Sequence, residues 1–180
     1  MGALRLEDLP HYTYDEYKEW EGRWELIYGV PYAMSPSPVF KHQDISANIS
    51  SQLKEKLNNC GKCKSVLATD WIVSNETTVC PDNSVVCDMN ENDSFITKTP
   101  AIIFEVLSPS TKKKDRTTKY ELFQEQGVKY YVLVEPAGSF SEVYELIDGR
   151  YKLQGEFKID SFKFDVSDCN IDFDFQQIFL

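Results

Sequence analysis

The 180-residue chain predicts a mixed fold, α/β or α+β, with helices flanking a curved mixed sheet. Three observations carry that expectation. Apolar runs rich in Val, Ile and aromatic residues alternate, up to about residue 136, with two stretches of helical periodicity. Beyond Glu135 the pattern becomes successive short strands, a β-rich C-terminal extension. One run, Ala101-Ile-Ile-Phe-Glu-Val-Leu107, is almost continuously apolar, as in a central strand covered on both faces. A chain of this length, 42% hydrophobic, can bury a substantial core, so a single domain over residues 1–180 is expected.

In chain order, Thr13-Tyr-Asp-Glu16 fits a capping box opening a short helix to about Trp20. Trp24 to Tyr28 and Val30 to Met34 read as a hairpin turning at Tyr28-Gly29, where glycine permits positive φ. In its first strand Glu25 and Ile27 face away from Trp24, Leu26 and Tyr28, so Glu25 can reach a core-side site. Pro36-Ser37-Pro38 marks a loop. Ile45, Ile49, Leu53 and Leu57 then recur every fourth residue, an amphipathic helix that covers the sheet. His42 lies at the edge of that stripe, where packing or capping is its ordinary role. Residues 64–73 and 78–88 are strand-like, parted by a turn at Ser74-Asn75-Glu76, and they bring Asp82 to a strand start. Asn90 to Thr99 is a polar, exposed excursion. After Ser108-Pro-Ser-Thr, residues 113–126 read as one helix closed by Gly127. Lys129 to Val134 is a further apolar strand, and Asp148-Gly149 signals a tight hairpin. Short strands continue to about Val166. The aromatic segment Phe173 to Leu180 forms a last helical turn or docks on another subunit.

The net charge of −10 argues against a generic nucleic-acid binder, because phosphate neutralisation dominates such affinity. Its distribution qualifies this. Between Thr111 and Lys119 five bases (Lys112, Lys113, Lys114, Arg116, Lys119) face one acid, Asp115, whereas Glu135 to Leu180 holds ten acids and four bases. A polyanion would approach from the basic side, with Lys112, Lys113, Lys114 and Arg116 as its contacts. No run of about 18 apolar residues suggests a membrane span, and Met-Gly-Ala-Leu-Arg-Leu-Glu-Asp lacks a signal peptide's apolar centre. A soluble, cytoplasmic protein with no membrane partner is expected. Five cysteines, at 60, 63, 80, 87 and 169, are expected to be reduced thiols. Cys60-Gly-Lys-Cys63 has the C-x-x-C spacing, but the interval from Cys80 to Cys87 is wrong for a second zinc pair, so the motif reads as a turn with incidental thiols.

Two charged residues stand out against this frame. Glu105 interrupts the central apolar strand, where a carboxylate costs several kcal/mol unless it is compensated. Lys119 falls in the middle of the apolar stripe of the next helix, between Leu122 on one side and Phe123 and Tyr120 on the other, and lysine is almost never buried unpaired. Asp82, Glu105 and Lys119 are therefore expected to converge. Two carboxylates and a lysine suit metal-assisted phosphodiester cleavage. The acids hold Mg²⁺ through hard oxygen ligands, while metal and lysine activate water and offset charge on the phosphorane.

Pro81-Asp82 followed by Glu105-Val-Leu resembles the PD-(D/E)XK nuclease superfamily. More closely, Trp24 to Met34, Pro81 to Val86, Glu105 to Thr111, Asp115-Arg-Thr-Thr-Lys119 and Gly127 to Tyr131 resemble, in matching order, the restriction endonuclease family called Uma-two. The resemblance implies a restriction-endonuclease-like core spanning about 24–136 and a Mg²⁺-dependent enzyme acting on DNA, with Mn²⁺ able to substitute. It implies metal ligation by Asp82, Glu105 and the Val106 carbonyl with Glu25 assisting, and contact of His42 with the site or a substrate phosphate. The superfamily's usual lysine position is Leu107 here, so the amine is expected to have migrated to Lys119. A homodimer is expected, since paired cuts on duplex DNA call for two-fold symmetry. Two other classes are a nuclease-like scaffold that binds without cutting, favoured by Leu107 and the acidic tail, and a zinc or thiol-redox protein built on Cys60 and Cys63.

Overall fold

The computed structural model describes residues 9–34, 39–90 and 92–180. A short helix α1 (Tyr14–Tyr17) precedes strands β1 (Trp24–Ile27) and β2 (Val30–Ala33), helix α2 (Phe40–Leu57), and strands β3 (Cys63–Leu67), β4 (Trp71–Ser74), β5 (Thr77–Val79), β6 (Asn83–Cys87) and β7 (Ile102–Val106). Helices α3 (Lys112–Arg116) and α4 (Thr118–Glu125) follow, then strands β8 (Tyr130–Glu135), β9 (Phe140–Ile147), β10 (Arg150–Phe157), β11 (Ser161–Val166) and β12 (Cys169–Asp174), and a 3-10 turn at Gln176–Phe179. The run expected to be central is central: β7 lies inside a six-stranded sheet ordered β10-β9-β8-β7-β6-β3. It pairs parallel with β8 and antiparallel with β6, which makes the sheet mixed. A smaller sheet, β2-β1-β5-β4, and the β11–β12 hairpin complete the strands.

Strand alternation divides the core between the two faces of the large sheet. Ile102, Phe104 and Val106 of β7, with Tyr130, Val132 and Val134 of β8, pack against Ile45, Ile49 and Leu53 of α2 and against Phe164, Phe173 and Ile178 of the C-terminal extension. Ile103 and Leu107, with Tyr131 and Leu133, pack against Leu122 and Phe123 of α4 and against Ile27, Trp71 and Val79 of the small sheet. Each fully buried Leu, Ile or Phe contributes roughly 1.5–3 kcal/mol. Burying both faces is what the near-continuous apolar pattern requires.

The hairpin expectations hold in detail. Tyr28 and Gly29 both have positive φ (51° and 75°), as do Asp148 and Gly149 (53° and 74°), the signature of two-residue turns that match strand twist. The Glu16 carboxylate accepts from the Thr13 amide and hydroxyl, both at 2.9 Å, closing the capping box.

Four expectations are corrected. The helix read over 113–126 is two helices, broken at Thr117, whose backbone (φ −124°, ψ −84°) leaves the helical region. The strand-like stretches 64–73 and 78–88 each serve two sheets. The chain leaves β3 through Ala68 (φ 43°) to enter β4 in the small sheet, and returns from β5 through Cys80-Pro81-Asp82 into β6. The excursion at 90–99 is not wholly exposed, since Ile96 is buried and bridges Trp71. Four of the five cysteines are paired as disulfides, Cys60 with Cys169 and Cys63 with Cys87, while Cys80 is buried and unbonded. The partners lie 109 and 24 positions apart, a proximity no local pattern reveals. The loop read at Pro36-Ser37-Pro38 and the N-terminal octapeptide lie outside the described residues. Among the described residues no helix is long and apolar enough to cross a membrane.

Candidate active site

The alternation that buries Ile103 and Leu107 on the α4 side of the sheet places Glu105 there too. Opposite, the stripe containing Leu122 and Phe123 carries Lys119 inward. The Lys119 Nζ lies 2.8 Å from Glu105 Oε1, 2.8 Å from Glu25 Oε1 and 3.8 Å from Asp115 Oδ1, with 4% of its side chain exposed. Glu25 reaches this point because β1 turns its inward side toward the seam between the sheets. Its Oε1 also accepts the Cys80 amide at 3.1 Å, and its Oε2 pairs with Lys114.

Asp82 stands where the chain passes from one sheet to the other. β6 pairs with β7 as far as the Asn83–Phe104 register, and just beyond it the Asp82 side chain takes over: Oδ2 accepts the Val106 amide at 2.8 Å. The Asp82 amide in turn points at Glu105 Oε2 across a long 3.4 Å. Helix α2 closes this side. His42 Nε2 lies 3.2 Å from Asp82 Oδ2, and one turn later Ser46 is bound twice by the buried Asn83, hydroxyl to Oδ1 at 2.9 Å and carbonyl to Nδ2 at 3.0 Å.

The charges do not balance. Glu25, Asp82, Glu105 and Asp115 bring four carboxyl groups, against which stand two lysines, 114 and 119. Burial works against ionisation of Glu25, yet the two lysine ammonium groups hold its carboxyl below the usual range. Glu105 is different. Burial pushes it well above the carboxylate range, and the acids at 82, 115 and 25 add to that push against the pull of Lys119. Asp115 is raised for the same reasons, burial first, and its Oδ1 is buried without a hydrogen-bond donor. Burial lowers the pKa of Lys119, but Glu105, Glu25 and Asp115 more than reverse this, so the amine stays charged. His42 is raised: the Asp82 carboxylate and the Val106 backbone outweigh its partial burial.

Glu25, Asp82, Glu105, Lys119, His42 and the Val106 peptide are thus brought together. The basic segment is not an open patch. Lys112 pairs with Glu135 at 2.5 Å, Lys114 with Glu25, and Arg116 grips Glu142 through two bonds of 2.7 and 2.9 Å, while Lys113 is exposed. Leu107 packs in the core. Sequence reading missed Asp115 as a member of the cluster. Its spacing four residues before an inward lysine was the available signal, since i and i+4 share a helix face. Nothing local announced Ser46 and Asn83. A cavity of about 470 Å³ lined by Tyr12, Trp20, Trp24 and Pro31 shares no lining residue with the cluster.

Comparison with known proteins places the chain in a family and matches its fold. Residues 14–160 match the family model described as "Putative restriction endonuclease" (Uma2). The chain is 34% identical over 150 residues to uncharacterized protein slr1290 of Synechocystis sp., spanning 78% of this chain and 77% of that one. Its fold matches the crystal structure of "a putative nuclease belonging to DUF820" from Anabaena variabilis, with a TM-score of 0.73 at 18% identity, covering 93% of this chain and 97% of that one. Given the ordered motifs, the mixed sheet and these matches, the chain belongs to the Uma2 family of "Putative restriction endonuclease" proteins.

Proposed function

We propose that the protein is a Mg²⁺-dependent endonuclease that hydrolyses DNA phosphodiester bonds, works in the cytoplasm and acts as a homodimer. The observation that carries this reading is the buried ammonium of Lys119, shared among Glu25, Glu105 and Asp115 beside Asp82. The donor set fits a hard divalent cation. All the acidic groups are carboxylates, which Mg²⁺ and Mn²⁺ prefer, two of them are raised by mutual proximity and burial, and one buried oxygen has no donor. Asp82, Glu105 and the Val106 carbonyl would hold the ion, with Glu25 and Asp115 close enough to assist. Once bound, the ion would acidify a water and neutralise charge on the scissile phosphate.

The chain's own groups supply the rest. Lys119, kept charged, cannot act as a base, so its role is to hold the attacking oxygen or a phosphate oxygen by donation and to offset charge as the phosphorane forms. Glu25, clamped by Lys114, the Cys80 amide and Lys119, fixes where that amine sits. His42 Nε2 donates to Asp82 most strongly when the ring is protonated, and a neutral ring carrying its hydrogen on Nδ1 leaves that oxygen free to ligate.

Nicking of supercoiled plasmid by purified protein, with Mg²⁺ or Mn²⁺ and with a chelator, tests the proposal. Glu105→Ala and Lys119→Ala are expected to lower the metal-dependent rate by about 10²-fold or more. Equal cutting by both variants and wild type would refute the assignment. A specific observation favours the scaffold reading. Asp82 Oδ2 is already engaged by Val106 and His42, and three of the basic residues meant for DNA are spent on carboxylates. Calorimetry separates the two: a divalent site lost in Asp82→Asn supports the enzyme, and no site in wild type supports the scaffold.

A further inference from the structure

Outside the carboxylate cluster, the structure gathers four sulfurs at the far end of α2. Cys60 follows the last turn of that helix, Cys63 opens β3, Cys87 ends β6 directly opposite Cys63 in the register, and Cys169 opens β12. The sulfurs of Cys60, Cys63 and Cys169 lie within 4.8 Å of one another, and Cys87 is bonded to Cys63. We propose that Cys60, Cys63, Cys87 and Cys169 form a tetrathiolate zinc site when reduced, in exchange with the two disulfides of the oxidised chain.

The geometry supports this in three ways. Four thiolates at about 2.3 Å from one zinc ion stand roughly 3.8 Å apart in a tetrahedron, so the sulfurs of Cys60, Cys63 and Cys169, within 4.8 Å of one another, need shifts of only about an ångström, and reduction of the 63–87 bond frees Cys87 beside them. At Gly61 the C-x-x-C loop faces open space, since its Cβ position has no neighbour within 4 Å. The two pairs are also adjacent: Cys63 of one lies in the same sulfur cluster as both members of the other. An all-sulfur tetrahedral set selects zinc among common divalent ions, since Mg²⁺ and Ca²⁺ take oxygen.

The location gives the site a task. The extension from β11 to Leu180 packs on α2, and Cys169, beside the turn of its hairpin, is the one point where it meets the end of α2 and the rim of the large sheet through sulfur. A closed four-sulfur site would fasten the three segments together. In the exchange each disulfide takes two electrons and two protons from a dithiol reductant, giving two thiols. The four thiols then release four protons as zinc binds. Oxidation by peroxide reverses the sequence, expelling zinc and restoring both disulfides, with each peroxide taking up two electrons and two protons to give water.

The full chain, purified with a phosphine reductant and exchanged against metal-buffered zinc, is expected to hold one zinc per chain. Substitution by Co²⁺ is expected to give the intense sulfur-to-metal absorption and the visible bands of a tetrahedral thiolate site. Cys60→Ser and Cys169→Ser should each weaken zinc about tenfold or more in competition with a chromophoric chelator. Cys80→Ser should not, because burial pushes that thiol up to about 12 and it lies apart from the cluster. Peroxide should release the zinc and leave the 60–169 and 63–87 crosslinks in peptide maps. If the serine variants fail to fold, the wild-type cobalt spectrum and the peroxide release decide. Sub-stoichiometric zinc in the reduced wild type, iron in its place, or a cobalt spectrum without thiolate absorption would overturn the proposal. Asp82→Asn should keep its zinc, so this test stands whatever the nuclease assay returns.

Discussion

Lys119 is the residue on which the cluster turns. Replacing it with methionine keeps the volume and removes the charge, leaving Glu25 with Lys114 alone and Glu105 and Asp115 with no cation. Stranding buried charges in this way costs about 3–5 kcal/mol, so Lys119→Met should unfold at markedly lower urea concentration, and lower pH should partly restore it by protonating the stranded acids. Glu105 makes the complementary prediction. Because its folded-state pKa is raised, its contribution to stability is complete below the ordinary carboxyl pKa and is lost as pH rises through the higher folded value. The metal-free protein should therefore lose stability as pH climbs from about 4.5 toward that raised value, and Glu105→Gln should flatten that slope in urea titrations at several pH values. His42, also raised, remains protonated beyond its usual 6.5 and competes for Asp82. Mn²⁺ affinity should accordingly increase with pH through that raised value, and His42→Gln should weaken the dependence.

At the scale of elements, the sequence disclosed those parts of the site that violate a local pattern. Glu105 breaks an apolar strand and Lys119 breaks an apolar helix stripe, so both were legible without any partner in view. Asp82 needed more, since an aspartate after proline usually makes a turn. Its spacing to the buried Glu105 and the family resemblance gave it a role, and the crossing from β5 into β6 between sheets is what places it. Asp115 was passed over, although one continuous helix would already set it on the face of Lys119. The break at Thr117 starts α4 afresh yet keeps Asp115 and Lys119 on the buried side. The link between Ser46 of α2 and Asn83 of β6 was not legible, because residues 37 positions apart met through tertiary packing alone. That link holds α2, and hence His42, against the Asp82 strand. Asn83→Ala should leave the buried Ser46 hydroxyl without its partner and cost about 1–3 kcal/mol, read as a lower urea midpoint at unchanged slope. It should also reduce Mn²⁺ affinity although Asn83 is no ligand.

Across the whole molecule, composition and fold pull in different directions. A net charge of −10 opposes DNA, and the segment that reads as basic in sequence is largely neutralised by Glu135, Glu25 and Glu142 once folded. Charge counting along a chain cannot see such pairing, because the partners lie on β1, β8 and β9. DNA binding should therefore depend on salt with a logarithmic slope shallower than about −3.6, the value for four phosphate contacts at ~0.9 each. The mixed sheet and its two covered faces were legible from hydrophobic periodicity. The division of strands between two sheets was not, because β3 and β4 read as one strand-like stretch until Ala68 turns it. That division creates the seam where the four acids and Lys119 meet. Soaking crystals in Mn²⁺ and collecting anomalous diffraction tests the seam most directly. A peak within ligand distance of Asp82 Oδ2 and a Glu105 carboxylate oxygen is the expected result, and a well-ordered, unliganded Asp82 and Glu105 at saturating Mn²⁺ would contradict it.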